Sequence, residues 1–542
     1  MLDRWGAAGT SLLLLLLALV LSLPVLAVLG SWLHWTPQTA SILREMASTV
    51  LPDYALTSLL LCLLVALGVT ALGLATAATV SLFRFPGRDL FAWLLLLPLA
   101  MPAYVVAYAY TDFLQFSGPL QTGLRAALGL QGALWPDVRS LWGAALVFTL
   151  SLYPYVYLLA RTALLERAAS LMEAARLLGA PLSRRIREIA LPLARPAVAA
   201  GVALALMETL ADFGVSAYFG IQTFTAGIYK AWLAMDNRLA AAQLATVLLL
   251  SVVLLLQLEQ RARRRLRFVQ GRPSREGSAD ARPVALQGPA CWAAWAVCAL
   301  PVLLGFVLPV GILLRAFWLE TAPVPWDRFA GWSWNSLRLG GVTAVLAVAA
   351  ALALAFSHRQ RASVWTGGAL QVVSLGYAIP GAVVVVGLLL PLGWVQQVWP
   401  ESRIGGLMTA TVLGLVWAYL VRFCAVALES MQSGYARIAP SLDESARMLG
   451  VTGWRLLRTV HAPLLRRTTV AALLLVFVDV MKELPATLVL RPFNSDTLAV
   501  VAYQLARDER LGEAALPSLA LVLVGLLPVI LLSRTLRPTD QR

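Results

Sequence analysis

The sequence predicts an all-α polytopic membrane protein of about twelve transmembrane helices, arranged as two pseudo-symmetric six-helix halves. Three observations predict it. The chain of 542 residues is 60% hydrophobic and 13% charged, with a mean hydropathy of +0.77, too apolar for a soluble protein of this length. Its apolar residues fall in runs that approach the roughly 20 residues needed to span a bilayer. A polar block, Glu173-Ala-Ala-Arg-Leu-Leu-Gly179 running on to Leu191-Pro-Leu-Ala-Arg-Pro196, returns 271 residues later as Glu444-Ser-Ala-Arg-Met-Leu-Gly450 running on to Ala462-Pro-Leu-Leu-Arg-Arg467. Recurrence at half the chain length marks a duplicated or fused pair of halves.

In chain order, apolar runs near 11–30, 55–82, 90–113, 141–160, 197–219 and 239–258 give six spans. Runs near 291–317, 337–357, 364–392, 405–427, 468–490 and 513–533 give six more. The first run lacks a clear small-residue cleavage site and is expected to remain as an anchor. The expected domains are a first half over 1–258 with a polar loop at 161–196, a linker over 259–290, and a second half over 291–542 with a polar loop at 428–467. The linker holds eight arginines and reads Gly-Arg-Pro-Ser-Arg-Glu-Gly-Ser in its middle, a flexible composition. Arginines crowd the linker and both polar blocks, whereas the opposite loop Ser31–Tyr54 carries only Arg44. The positive-inside bias therefore puts both termini and both blocks in the cytoplasm.

The net charge of +15 sits where this topology needs it, which argues against a nucleic-acid partner. Lys230 and Lys482 are the only lysines, and Tyr229 and Met481 precede them, so the chain lacks the Gly-Lys-Ser/Thr of a phosphate-cradling loop. His34, His358 and His461 are far apart, without metal-ligand spacing. Cys62, Cys291, Cys298 and Cys424 lie in apolar stretches and read as small buried hydrophobes.

Within each repeated block, Glu173–Leu178 favours helix, Gly179 permits a turn closed to other residues, and Pro181–Ala190 can resume as a second short helix before Pro192 opens the next span. Glu-Ala-Ala, three residues, Gly, then a Leu-Pro-Leu segment resembles the signature loop of permease subunits of binding-protein-dependent ABC importers, and it does so in both halves. The resemblance implies a type I ABC importer permease fold in a bacterial inner membrane, multi-pass and in contact with lipid. It also implies a translocation subunit with no catalytic residue and no cofactor of its own. ATP and Mg would sit on a separate cytoplasmic ABC ATPase, two copies of which would dock, and a periplasmic substrate-binding protein would deliver the cargo. By the same resemblance Glu173, Ala174, Ala175 and Gly179, with Glu444, Ser445, Ala446 and Gly450, couple to the ATPase. The second copy departs from the pattern, with Ser445, Val451, Ala462 and Arg467 in place of Ala174, Ala180, Leu191 and Pro196, and its dock is expected to be looser.

Two further segments, Met207-Glu-Thr-Leu-Ala-Asp-Phe-Gly214 in the first half and Lys482-Glu-Leu-Pro-Ala-Thr-Leu-Val-Leu-Arg-Pro492 in the other, resemble the fused permeases of ferric-iron uptake systems. Thiamine, polyamine and sulfate permeases share parts of the pattern. The residues themselves offer a physical argument. Glu208 and Asp212 stand at i and i+4, and Asp479 and Glu483 repeat that spacing, so each pair is expected on one helix face. Glu208 lies about 12 residues into its span, roughly 18 Å deep at about 1.5 Å per residue. Intramembrane carboxylates are costly and mark a pathway or a partner. Oxygen ligands suit a hard trivalent cation, and Tyr104 and Tyr108 could add phenolic oxygens, which makes Glu208, Asp212, Asp479 and Glu483 the candidate cation ligands. The structural alternative is hydrogen bonding to neighbouring spans or pairing with Lys482 and Arg491. Prolines in Pro98-Leu-Ala-Met-Pro102 and Ala378-Ile-Pro-Gly381 are expected to break spans three and nine. A secondary transporter or channel would share the symmetry and the buried acids. It would not need two blocks built for docking.

Overall fold

A computed structural model describes residues 2–33, 37–165, 169–234, 237–268, 283–360 and 362–535. Its described residues are mostly helical, and their one sheet is the short parallel pair Phe83–Arg84 and Val284–Ala285. Residues 269–282 of the 259–290 linker lie outside the described residues. At its edges the helix Arg238–Phe268 runs on past Arg261, and Val284–Ala285 is paired.

Among the described residues ten helices are long and apolar enough to cross a membrane, or eleven if Arg88–Ala100 and Ala103–Leu128, bent by 88°, count as one span. The expected eleventh span, 468–490, is absent from that set. It divides into Ala462–Lys482 and Pro485–Leu490, and the longer piece carries Arg466, Arg467, Asp479 and Lys482. The 197–219 run divides likewise, into Leu191–Ala211 and Gly214–Phe219.

The chain packs as two compact units that are interleaved along the sequence. One comprises Met1–Arg44, Ile228–Leu249 and Val324–Val501, and the other Glu45–Gly227, Leu250–Pro323 and Ala502–Arg542. In the first unit the N-terminal helix Leu2–Gly30 packs on Val364–Ser374 and Gly381–Val398. There the Trp417 indole N–H donates to the Val20 carbonyl at 3.1 Å, and a Cβ at Gly387 would collide with the Pro24 carbonyl oxygen. In the second unit the helices Leu308–Leu319 and Leu511–Thr535 pack on each other, and the Tyr110 hydroxyl donates to Leu304 O at 2.5 Å. Each unit thus draws its flank from the opposite sequence half.

Lipid solvates apolar side chains as well as a core does, so burial follows shape instead of hydropathy contrast. Along Leu51–Leu82, Tyr54, Ser58, Leu61, Val65, Val69, Gly73 and Thr76 face inward at helical spacing, while Leu56, Leu59, Leu63 and Leu67 stay exposed. The inward stripe contains the small and polar residues. A Cβ at Gly73 would lie 2.6 Å from Val156 Cβ, and one at Gly201 would lie 2.7 Å from Val156 Cα. Gly201→Ala should therefore lower the unfolding midpoint of the detergent-solubilised protein by an amount equivalent to about 1–3 kcal/mol. Gly311→Ala, in a helix with open space around the new methyl, should leave the midpoint unchanged or raise it. Equal midpoints for the two variants would overturn the close-approach account.

Candidate functional site

Both polar loops fold as helix, turn, helix. The first is Ala169–Leu177 followed by Leu182–Arg185, and the second is Pro440–Met448 followed by Gly453–Leu456. Gly179 N–H donates to Arg176 O at 3.0 Å and Ala180 N–H to Ala175 O at 3.0 Å. Gly450 N–H donates to Arg447 O and Val451 N–H to Ala446 O, both at 2.9 Å. Each is a Schellman cap, which needs a left-handed residue after the helix, and φ is +78° at Gly179 and +79° at Gly450. Any side chain there is strained whatever the space around it. Both loops then rejoin the long helices through a wide π-turn, Ile186–Ala190 and Leu457–His461.

Directly before each turn glycine stand two apolar side chains in the open. Leu177 and Leu178 are 82% and 87% exposed, and at the same register Met448 and Leu449 are 89% and 82% exposed. Leu171 and Leu442 repeat the pattern. The Glu173 carboxylate lies 3.5 Å from Arg176 on the surface, a pair worth little to stability. Ala174 is exposed and Ala175 half-buried, whereas Glu444 and Ser445 are exposed and Ala446 is buried. The exposed pairs were missed in the sequence because leucine beside a predicted membrane span reads as apolar filler.

Two further pairs of breaks lie inside the spans. Leu97–Ala100 ends in a tight turn before Met101 and Pro102 extend and Ala103–Leu114 begins, and Leu375–Ala378, Ile379, Pro380 and Gly381–Val398 repeat the geometry. The expected proline breaks are present. The second pair falls at the acidic residues. The helix ending at Ala211 leaves Asp212 extended, and the helix ending at Lys482 leaves Glu483 extended, at ψ 135° and 123°. Asp212 Oδ2 accepts from Val215 N at 2.8 Å and Ser216 N at 3.4 Å. Glu483 accepts from Ala486 N at 3.0 Å and from Thr487 N at 3.1 Å.

A model of the family described as binding-protein-dependent transport system inner membrane component matches residues 69–267 and again 344–542. The chain belongs to that family. It is 24% identical over 97% of both chains to the Fe(3+)-transport system permease protein FbpB 2 of Haemophilus influenzae. It is 25% identical to a probable ABC transporter permease protein of Sinorhizobium fredii, over 87% of this chain and 85% of that one. A probable molybdenum ABC transporter permease protein of Haloferax volcanii is 31% identical over 38% of this chain and 72% of its own. As an ABC permease the chain is a translocation component and not an enzyme, a multi-pass inner-membrane subunit that works with an ATPase and a substrate-binding protein.

In this permease the expectation of one helix face for each acidic pair is corrected. Asp212 and Glu483 stand past the ends of the helices that carry Glu208 and Asp479, because each carboxylate turns to the free N–H groups of the next short helix. Glu208, Asp212 and Asp479 are half-buried, and Glu483 is buried. The ionic partner of Glu483 is Arg422 at 3.3 Å, not Lys482 or Arg491, and Arg491 pairs with Asp496. Thr487 Oγ1 lies 2.8 Å from Glu483 Oε2 and 2.6 Å from the Tyr419 hydroxyl. A Cβ at Gly381 would lie 2.9 Å from Glu483 Oε1, which is why glycine follows Pro380. Tyr104 and Tyr108 are buried with ring centroids 5.7 Å apart, and Tyr108 meets Tyr218 edge-on at 4.7 Å. Among the described residues no group of three or more His, Cys, Asp or Glu side chains is arranged to hold a metal ion.

Removing one partner of a buried ion pair leaves the other charge uncompensated. Glu483→Gln and Arg422→Met should each cost about 3 kcal/mol of stability. The double variant should recover most of that loss when unfolding midpoints are compared as a double-mutant cycle. Additive losses would show that the two side chains act independently.

Proposed function

We propose that this chain is the translocation subunit of an ATP-driven importer that carries ferric iron, delivered by a periplasmic binding protein, into the cytoplasm. The observation that carries the reading is the repeated exposed apolar pair, Leu177-Leu178 and Met448-Leu449, set on a helix end held by a glycine cap. Isolated leucines on a surface need no explanation, but the same fully exposed pair at the same register of two repeats marks a docking face. In this reading each loop receives one copy of a cytoplasmic ABC ATPase, on which ATP and Mg reside, and both termini lie on that side with the 259–290 linker joining the halves 1–258 and 291–542. Glu173, Ala174, Ala175, Gly179, Glu444, Ser445, Ala446 and Gly450 form the docking helices and their turns. The near full-length likeness to an iron permease supports iron as the cargo.

Along the route, the half-buried Glu208 and Asp479, each one turn before a break, supply the charge that offsets the cost of moving a cation through a low-dielectric region. Asp212 and Glu483 hold the breaks open, and Tyr104 and Tyr108 contribute phenolic oxygen near the first. The binding protein selects the metal.

Leu178→Asp combined with Leu449→Asp should abolish co-purification of the ATPase while the permease still inserts. Retained ATPase in that variant would remove the docking face. Glu208→Gln with Asp479→Asn should depress iron uptake per assembled complex in proteoliposomes at unchanged ATPase association. Normal uptake would take these acids off the route, and uptake of molybdate or thiamine in place of iron would overturn the cargo while leaving the importer.

A further inference from the structure

The two loops are seated on their bundles by different forces. In the second, the buried Asp443 immediately precedes Glu444 and points away from the exposed face. Arg359, one residue from the end of the helix Trp326–Gln360, reaches it with Nε to Oδ2 at 2.8 Å and Nη2 to Oδ1 at 3.3 Å. The same guanidinium donates to the carbonyls of Tyr435 at 3.0 Å, Ile438 at 3.0 Å and Ala439 at 3.3 Å, the end of the helix Leu413–Tyr435 and its exit turn. His461, fully buried in the π-turn, lies with Nε2 3.0 Å from Asp443 Oδ1 and Nδ1 3.4 Å from the Tyr435 hydroxyl. Burial opposes the Asp443 charge, but the bonds from Arg359 and His461 outweigh it and hold the carboxyl below its ordinary range. One arginine therefore ties the docking helix to the ends of two long helices.

The first loop holds the same three positions mainly by packing, with Arg185 Nη1 donating to the Met172 carbonyl at 3.4 Å, while Arg88, 271 residues before Arg359, turns instead to the Val80 carbonyl at 2.6 Å. At 271 residues before Asp443, Tyr435 and His461 stand Met172, Leu164 and Ala190, at 8%, 2% and 1% exposure. These apolar contacts are non-directional and tolerate small displacements. A forked, charge-assisted set fixes both angle and distance.

We propose that Arg359, Asp443 and His461 are positioning residues that lock the second docking helix to the spans, so that movement of the ATPase at that dock is passed on rigidly, while the first helix rides on a compliant apolar seat. The proposal rests on the docking reading above and concerns the seat of the helix on the spans, not the fit of the ATPase against it.

The test uses the full complex of permease, ATPase and binding protein in proteoliposomes, read as substrate moved per ATP hydrolysed. Asp443→Asn keeps the shape and removes the charge. It should retain bound ATPase and lose roughly tenfold in that ratio, the equilibrium factor carried by a hydrogen bond to a charged group. A second variant, Asp443→Met with His461→Ala, places the first loop's residues at these positions, and Arg359 keeps the Tyr435 and Ile438 carbonyls as acceptors. It should assemble and show the same loss, whereas Met172→Leu in the first loop should not change the ratio. An unchanged ratio in either Asp443 variant, or failure of both to assemble, would overturn the positioning role. Absence of ATPase from the wild-type complex would instead overturn the docking reading.

Discussion

A membrane offers no water to a broken helix, and the permease depends on meeting that constraint from within. Where a span stops at Ala211 or Lys482, the following turn exposes backbone N–H groups that hydrocarbon cannot satisfy. Asp212 and Glu483 fill that need with their own carboxylates, accepting from the first amides of the next short helix. The acids are tolerated because their charge is spread over amide donors, and at Glu483 over Arg422 and Thr487 as well. The breaks that bend the spans and the acids that cap them are one device.

The two halves apply that device with different chemistry. Thr487 closes the second break by bonding Glu483 and Tyr419, but its counterpart Ser216 has no partner for its hydroxyl among the described residues. The seats of the two loop helices differ the same way, ions at Asp443 and methionine at Met172. Duplication fixes the backbone path, because the glycine caps and π-turns recur at identical spacing. Side-chain chemistry beneath that path differs between the halves, and at these two places the second half is the more polar and directional.

Much of this was legible in the sequence. The glycine caps at Gly179 and Gly450 could be read because only glycine enters the left-handed region without strain, and Pro102 and Pro380 because proline cannot continue a helix. The unit boundaries were not, since apolar runs carry no signal of which neighbour they pack against when lipid is an equally good one. The break at Asp212 was hidden because i and i+4 spacing suggests a continuous face, and nothing local announces that a carboxylate will turn to cap the next helix. The partner of Glu483 was hidden for a similar reason. Arg422 lies 61 positions away, and its bond is set by tertiary packing alone.

The interleaving of the units bears on how the halves stay matched. The N-terminal helix completes a unit whose core is residues 324–501, and Leu308–Leu319 with Leu511–Thr535 flank the unit built from residues 45–227. Neither half can finish burying its inward stripes without helices from the other. Close-approach sites such as Gly387 against Pro24 make those exchanged contacts specific, because lipid gives no general drive for helices to associate and only shape and hydrogen bonding remain. Fusion in one chain then ensures that the exchanged helices are always present in equal number, which suits a fold in which each unit is completed by helices of the opposite sequence half.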